Sequence, residues 1–152
     1  MARFSYKMQS ILNIKYKLET QAKTAFGIAQ AALSAQEDKL LAVQERQERY
    51  EQKAKELMCG HLDFPEIKFS RQAVLAIKEV VKEQVLAVHL AQRNVEAARQ
   101  KLNEVMTERK THEILREKAF DEFKKEVEAE ESKAIDELVS YKGAEKKKEG
   151  AA

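Results

Sequence analysis

The residues best suited to chemistry crowd into one short stretch, "MCGHLDFPEIKF", residues 58–69. It holds the only Cys, Cys59, and the only Pro, Pro65. With His61, Asp63 and Glu66 close by, the set has the residue types of a metal site or an acid–base centre. The spacing argues for another use. Cys59 and His61 are two ligands two residues apart, and a zinc site needs a second pair that the chain does not supply. Gly60 suits a helix C-cap, because it takes a left-handed conformation freely. Asp63 followed three residues later by Glu66 has the spacing of a capping box, and Pro65 is tolerated in a first helical turn. Gly60, Asp63, Pro65 and Glu66 are therefore expected to form a turn between two helices, with Ser70 as a second N-cap candidate. No metal or other cofactor is expected.

The remaining candidates are sparse. His112 lies between Arg109 and Arg116, and His89 stands alone; neither has a Cys or Ser nucleophile at a motif spacing. There is no phosphate-cradling Gly loop, no Gly-x-Ser-x-Gly elbow and no His-Glu-x-x-His. An enzyme is not expected, nor is a small-molecule substrate. The Lys and Arg residues are interleaved with Glu and lack flanking aromatics, so nucleic acid is not an expected partner.

Elements that could position these residues are few and long. Charged residues make up 36% of the chain, against four Gly and one Pro. This is the profile of long helices or a coiled coil rather than a compact core. From Val74, alternating steps of three and four residues visit Ile77, Val81, Gln84, Val88, Ala91, Val95, Ala98, Leu102, Val105, Arg109, His112, Arg116, Ala119 and Phe123. Eleven of these fifteen positions are apolar, a sustained 3.5-residue period that marks a left-handed coiled-coil seam. In the first half, Ile11, Ile14, Leu18, Ala22, Ala25, Ala29, Ala32, Leu40, Val43, Gln47, Tyr50, Ala54 and Leu57 share a face, with stutters near Leu18 and Gln36. The fold class is therefore all-α, a long antiparallel two-helix coiled-coil hairpin over residues 1–142. Its helices are expected at about 5–58 and 66–141, its turn at about 59–65, and a disordered tail at 143–152. Partner residues have numbers summing to about 126. The second helix then overhangs the first by roughly 20 residues, about 30 Å, in a rod longer than about 100 Å.

Charge is unevenly placed. Residues 1–23 carry five Lys or Arg against one Glu, and residues 120–142 carry four Lys against eight Asp or Glu. Such ends attract one another. The longest uncharged stretch, Thr24 to Gln36, is too short to span a bilayer. A lone Cys fits a reducing compartment, and no signal pattern opens the chain, so a soluble cytoplasmic protein is expected. The basic start places Phe4, Met8, Ile11, Leu12 and Leu18 on one broad face. That face fits an acidic membrane or protein partner, or simply the last turns of the coil.

One part is too apolar for a two-stranded coil. In residues 69–91 fourteen of 23 residues are apolar and five are charged; in residues 96–118 seven are apolar and eleven charged. Phe69, Ala73, Ala76, Val80, Ala87 and Leu90 make a second stripe beside the seam, as an interaction surface or a packing face for further helices does.

Two segments resemble a known family. "FSYKMQSILNIKYKLETQAK" has the aromatic-x-aromatic-x-Met-Gln start of the flagellar export protein FliJ. "RNVEAARQKLNEVMTERKTHEILREKAFDEF" has that family's Val, Ala, Lys-Leu and Glu-Arg-Lys spacing before a Leu and a late aromatic. The similarity covers roughly residues 3–141. It implies a non-enzymatic stalk of the flagellar type III export apparatus, similar to the coiled-coil stalk of rotary ATPase γ subunits. Such a stalk is implied to bind the hexameric export ATPase FliI and promote its assembly and turnover. The export gate protein FlhA and the export chaperones are implied as further partners, at the cytoplasmic face of the inner membrane at the flagellar base. On this resemblance Phe4, Tyr6, Met8, Ile11, Phe120 and Phe123 are candidate ATPase-ring contacts. Phe69, Ala73, Ile77, Val80 and Gln84 are candidate gate contacts. The equivalent stalk of a virulence secretion system and a self-assembling coiled-coil scaffold at a membrane surface or in the cytoplasm stand as alternatives.

Overall fold

The structure is a computed structural model and describes residues 3–150. It is all-α. Helix α1 spans Gln9–Leu57 and helix α2 spans Phe64–Gly150, with no strand among the described residues. The two helices pack against each other as a helical hairpin.

The turn is built from the residues that looked reactive. The last turn of α1 tightens, with the N–H of Met58 donating to Lys55 O and that of Cys59 to Glu56 O. Gly60 then takes φ 76°, the left-handed conformation that reverses the chain. Asp63 caps α2: its Oδ1 accepts the Glu66 N–H at 3.4 Å, and its carbonyl accepts the Ile67 N–H at 2.9 Å. Pro65 falls in the first turn of α2, where its missing N–H costs nothing. Cys59 is exposed, and its thiol donates to Lys55 O.

The chain divides into two compact units, Leu18–Val105 and Met1–Lys17 with Met106–Ala152. In the first, the α2 seam from Val74 to Val105 is buried or half-buried at every expected position, with Ile77, Val88, Ala91, Val95 and Val105 fully buried. The answering face of α1 differs from the expected one. Covered residues run Ala22, Phe26, Ala29, Leu33, Gln36, Leu40, Val43, Gln47, Tyr50, Ala54 and Leu57, in unbroken steps of three and four. There is no stutter near Gln36. Ala25 and Ala32, expected on the seam, are exposed, and Phe26 and Leu33 take the covered places. The reason is volume: small residues at Ala22, Ala29, Ala91 and Ala98 leave room that the larger neighbours fill. Phe26 also lies under the Arg99 guanidinium, 5.8 Å from its ring centroid. The pair Phe26–Arg99 keeps the expected register, whereas Gln36 meets Gln84, about six residues short of it.

In the second unit the seam shifts by one residue toward polarity. Leu12 is 1% exposed and Lys15 half-buried, while Ile11 and Ile14, expected inside, face out, Ile14 at 54%. The facing stretch of α2 is polar, with Glu108, Arg109, His112 and Glu113. Lys15 lays its stem along the seam and reaches Glu108 Oε2 at 2.8 Å. The Tyr16 hydroxyl donates to Glu113, Arg109 pairs with Glu113 at 2.9 Å, and Arg116 Nε donates to Gln9 Oε1 at 2.9 Å. Apolar residues in place of Gln9, Lys15 and Tyr16 would remove these bonds between the helices. Arg116, although on the expected seam, is exposed.

From residue 128 to Gly150 every residue of α2 is exposed, yet the helix continues. Residues 143–150, expected as the start of a disordered tail, are helical; 151–152 lie outside the described residues. Ala, Glu and Lys are strong helix formers, and a helix nucleated upstream propagates through them despite Gly143.

Candidate functional site

Two surfaces follow from these elements, one in each unit. The first is where the start of the chain meets α2. Residues 3–6 precede α1 and lead into it through a turn, the N–H of Gln9 donating to Tyr6 O. This lays Phe4 edge-on against Phe120 at 5.0 Å between centroids, and against Phe123 at 5.4 Å. Cations frame the rings: Arg116 lies over Phe4 at 5.9 Å and Lys124 over Phe120 at 4.8 Å. Phe4, Tyr6, Met8 and Phe123 line one shallow groove of about 440 Å³, edged by Glu122 and Glu126. Phe120 is partly exposed at the same cluster, and Ile11 is exposed one turn along α1, outside that groove. The structure thus brings five of the six sequence-selected residues together around aromatic rings and leaves Ile11 beside them. The Tyr6 hydroxyl and the Nδ1 of His112 are buried with no hydrogen-bond partner.

Tyr16 shows how the local charges act. Its hydrogen bond to Glu113 raises the phenol above its ordinary 10.0, with burial adding in the same direction. In the other unit the opposite holds at Tyr50. Arg46 donates to its hydroxyl at 3.2 Å and stabilises the phenolate, so that phenol is lowered.

The second surface is the stripe at the start of α2. Phe69 is 73% exposed and Val80 is 40% exposed, with Ala73 half-buried between them. Leu75, Leu86 and Leu90 are also exposed. Two candidates selected with this stripe do not belong to it. Ile77 is only 2% exposed and is core. Gln84 is half-buried, its amide donating to Gln36 O at 2.9 Å and Gln36 Oε1 at 2.8 Å. Both occupy α2 seam positions, which the 3.5-residue period already marked; carrying them over by position from the family resemblance mixed two faces of one helix. Leu86 and Leu90 are surface members that the candidate set left out, and the run of apolar residues through 91 was the signal for them.

No helix among the described residues is long and apolar enough to cross a membrane. Neither the curated proteins nor the solved structures contain a match to the chain. The family model of the flagellar FliJ protein matches residues 4–148, nearly the whole length of the helical hairpin. The chain belongs to the FliJ family, a component of the flagellar type III export machinery.

Proposed function

We propose that this protein is a non-enzymatic stalk of the flagellar export apparatus, which binds the export ATPase ring through its paired ends and the export gate through the stripe on α2. The observation carrying the proposal is the aromatic cluster of Phe4, Phe120 and Phe123, which ties the N-terminal segment to α2 and presents Tyr6 and Met8 beside it. A single asymmetric element inside a six-fold ring contacts the subunits unequally. Unequal contacts bias each subunit's conformation and couple nucleotide turnover to the position of the stalk. On this reading FliI is the ring and FlhA the gate, with Phe69, Ala73 and Val80 as gate contacts. Emptied export chaperones are further partners, and the protein works at the cytoplasmic face of the inner membrane without crossing it.

The test is turnover of the cognate export ATPase with and without this protein, together with hexamer formation followed by sedimentation. Stimulation of both is expected, and Phe4→Ala should weaken it while leaving helix content unchanged. No effect of the wild-type chain on either measurement would defeat the stalk reading.

A further inference from the structure

One side of the Leu18–Val105 unit carries a groove of about 360 Å³. Lys53 lies on its α1 wall, Phe69 and Ala73 on its α2 wall, and Glu66 at its tip end. The groove identifies which residues share that side, because seven-residue steps keep to one flank of a coiled coil. From Lys53 they lead back along α1 to Arg46 and Lys39, and from Ala73 along α2 to Val80 and Ala87. Three and four residues away, Arg49 joins the α1 row, and Phe69, Ala76 and Leu90 join the α2 row. A row of cations on one helix therefore runs beside a row on the other that is apolar except at Glu83.

The cations are available. Lys39, Arg46, Arg49 and Lys53 are all exposed. None lies within ion-pairing distance of a carboxylate among the described residues. Arg46 stacks on Tyr50 and bonds its hydroxyl, which fixes the guanidinium without neutralising it. Of the α1 carboxylates of this stretch, Asp38 and Glu45 fall on the outer face, Glu45 one turn from Arg49, and Glu51 lines the groove on the opposite side with Lys55 and Arg71. On the cationic side the carboxylates are Glu56 and Glu66 toward the tip and Glu83 on α2, in the same row as Phe69, Ala76 and Leu90.

We propose that this side seats an amphipathic helix of a partner protein that carries an acidic edge. Its apolar residues, at i, i+3 or i+4, and i+7, pack on Phe69, Ala73, Val80 and Leu90, and its Asp and Glu residues lie along Lys39, Arg46, Arg49 and Lys53. A second copy of this chain fits less well: a two-fold pairing through this face sets the cation row against itself or against a row with one carboxylate, Glu83, too few for four cations. The assignment rests on the reading of the α2 stripe as a partner surface and adds the chemistry of the partner.

The test uses the full chain and two helical peptides with the same apolar stripe, one with Glu along an edge and one with Lys at those positions. Fluorescence anisotropy should show saturable binding of the Glu-edged peptide, at least about tenfold tighter than the Lys-edged one at low salt, with the gap narrowing as salt rises. The double substitution Arg46→Glu with Lys53→Glu should abolish that preference with helix content unchanged by circular dichroism. Equal affinity for the two peptides, or no saturable binding of the Glu-edged one, overturns the proposal. Wild-type self-association that the double substitution removes overturns it in favour of a second copy. Binding of the gate protein's soluble domain, measured on the same two chains, separates this from the gate reading. Gate binding unchanged by the double substitution overturns the acidic edge alone. No gate binding by the wild type, with the Glu-edged peptide still bound, overturns the gate assignment alone.

Discussion

Gln84 of α2 donates its side-chain amide to both carbonyl oxygens of Gln36 on α1, at 2.9 Å to the backbone and 2.8 Å to the side chain. The pair sits in a seam that is otherwise mostly apolar from Ala22 to Val105. A half-buried polar pair of this kind fixes register at some cost in stability. Gln84→Ala should destabilise the chain by about 1 kcal/mol in urea unfolding, the worth of a typical hydrogen bond. Replacing both residues with Leu should instead raise stability, and broadened amide resonances along α1 would report the lost register.

The split of the sequence-selected stripe into core and surface gives a paired test. Ile77→Ala should cost about 2–4 kcal/mol by thermal or urea unfolding, because it empties a fully buried site. Val80→Asp, on the exposed face, should cost less than about 1 kcal/mol and act on gate binding instead. Unfolding by Val80→Asp would place that residue in the core.

At the turn, Gly60 holds φ 76°, where any side chain is strained although the space around it is open. Gly60→Ala should cost about 1–2 kcal/mol, measured by denaturant midpoint. Asp63→Ala removes the α2 cap and should cost about 0.5–1 kcal/mol, the low end being apt for a bond of 3.4 Å.

The two perturbed phenols titrate in opposite directions. Tyr16 is held above 10.0 by its bond to Glu113, so the folded state binds this proton more tightly than the unfolded one. Its contribution to stability is present below the unfolded value and is lost as pH rises through the higher folded one. Tyr50 is held below 10.0 by Arg46, so its contribution grows as pH rises and is complete above the unfolded value. In an ultraviolet titration, Tyr16→Phe should remove absorbance change from the alkaline side of pH 10 and Tyr50→Phe from the acid side.

How much of this was legible depended on what each helix faced. Fourteen of the fifteen expected α2 seam residues are covered, all but Arg116, because a long apolar run with one strict period admits one face. The turn at Gly60 and Asp63 was legible because φ sign and capping are local chemistry. The start of α1 was not. Ile11, Ile14 and Leu18 outrank Lys15 and Glu19 on any hydrophobic scale, yet they are exposed, while Lys15 is half-buried and Glu19 buried. For Lys15 the partner is Glu108, information held 93 residues away in the chain. Of the candidate contacts, the aromatic cluster could be read from the register alone, and the 3.5-residue period had already set Ile77 and Gln84 on the seam, apart from Val80.

The end of α2 from residue 128 to Gly150 is exposed throughout and packs on no other described residue. Its helicity rests on propensity and on continuity with the turns before it, so its amide protons should exchange with solvent far sooner than those flanking Ile77. That makes the segment a built-in reporter. Any surface that closes over Ile135, Leu138, Val139 and Tyr141 would slow their exchange at once, marking in one spectrum the moment at which the protein takes its place in a larger machine.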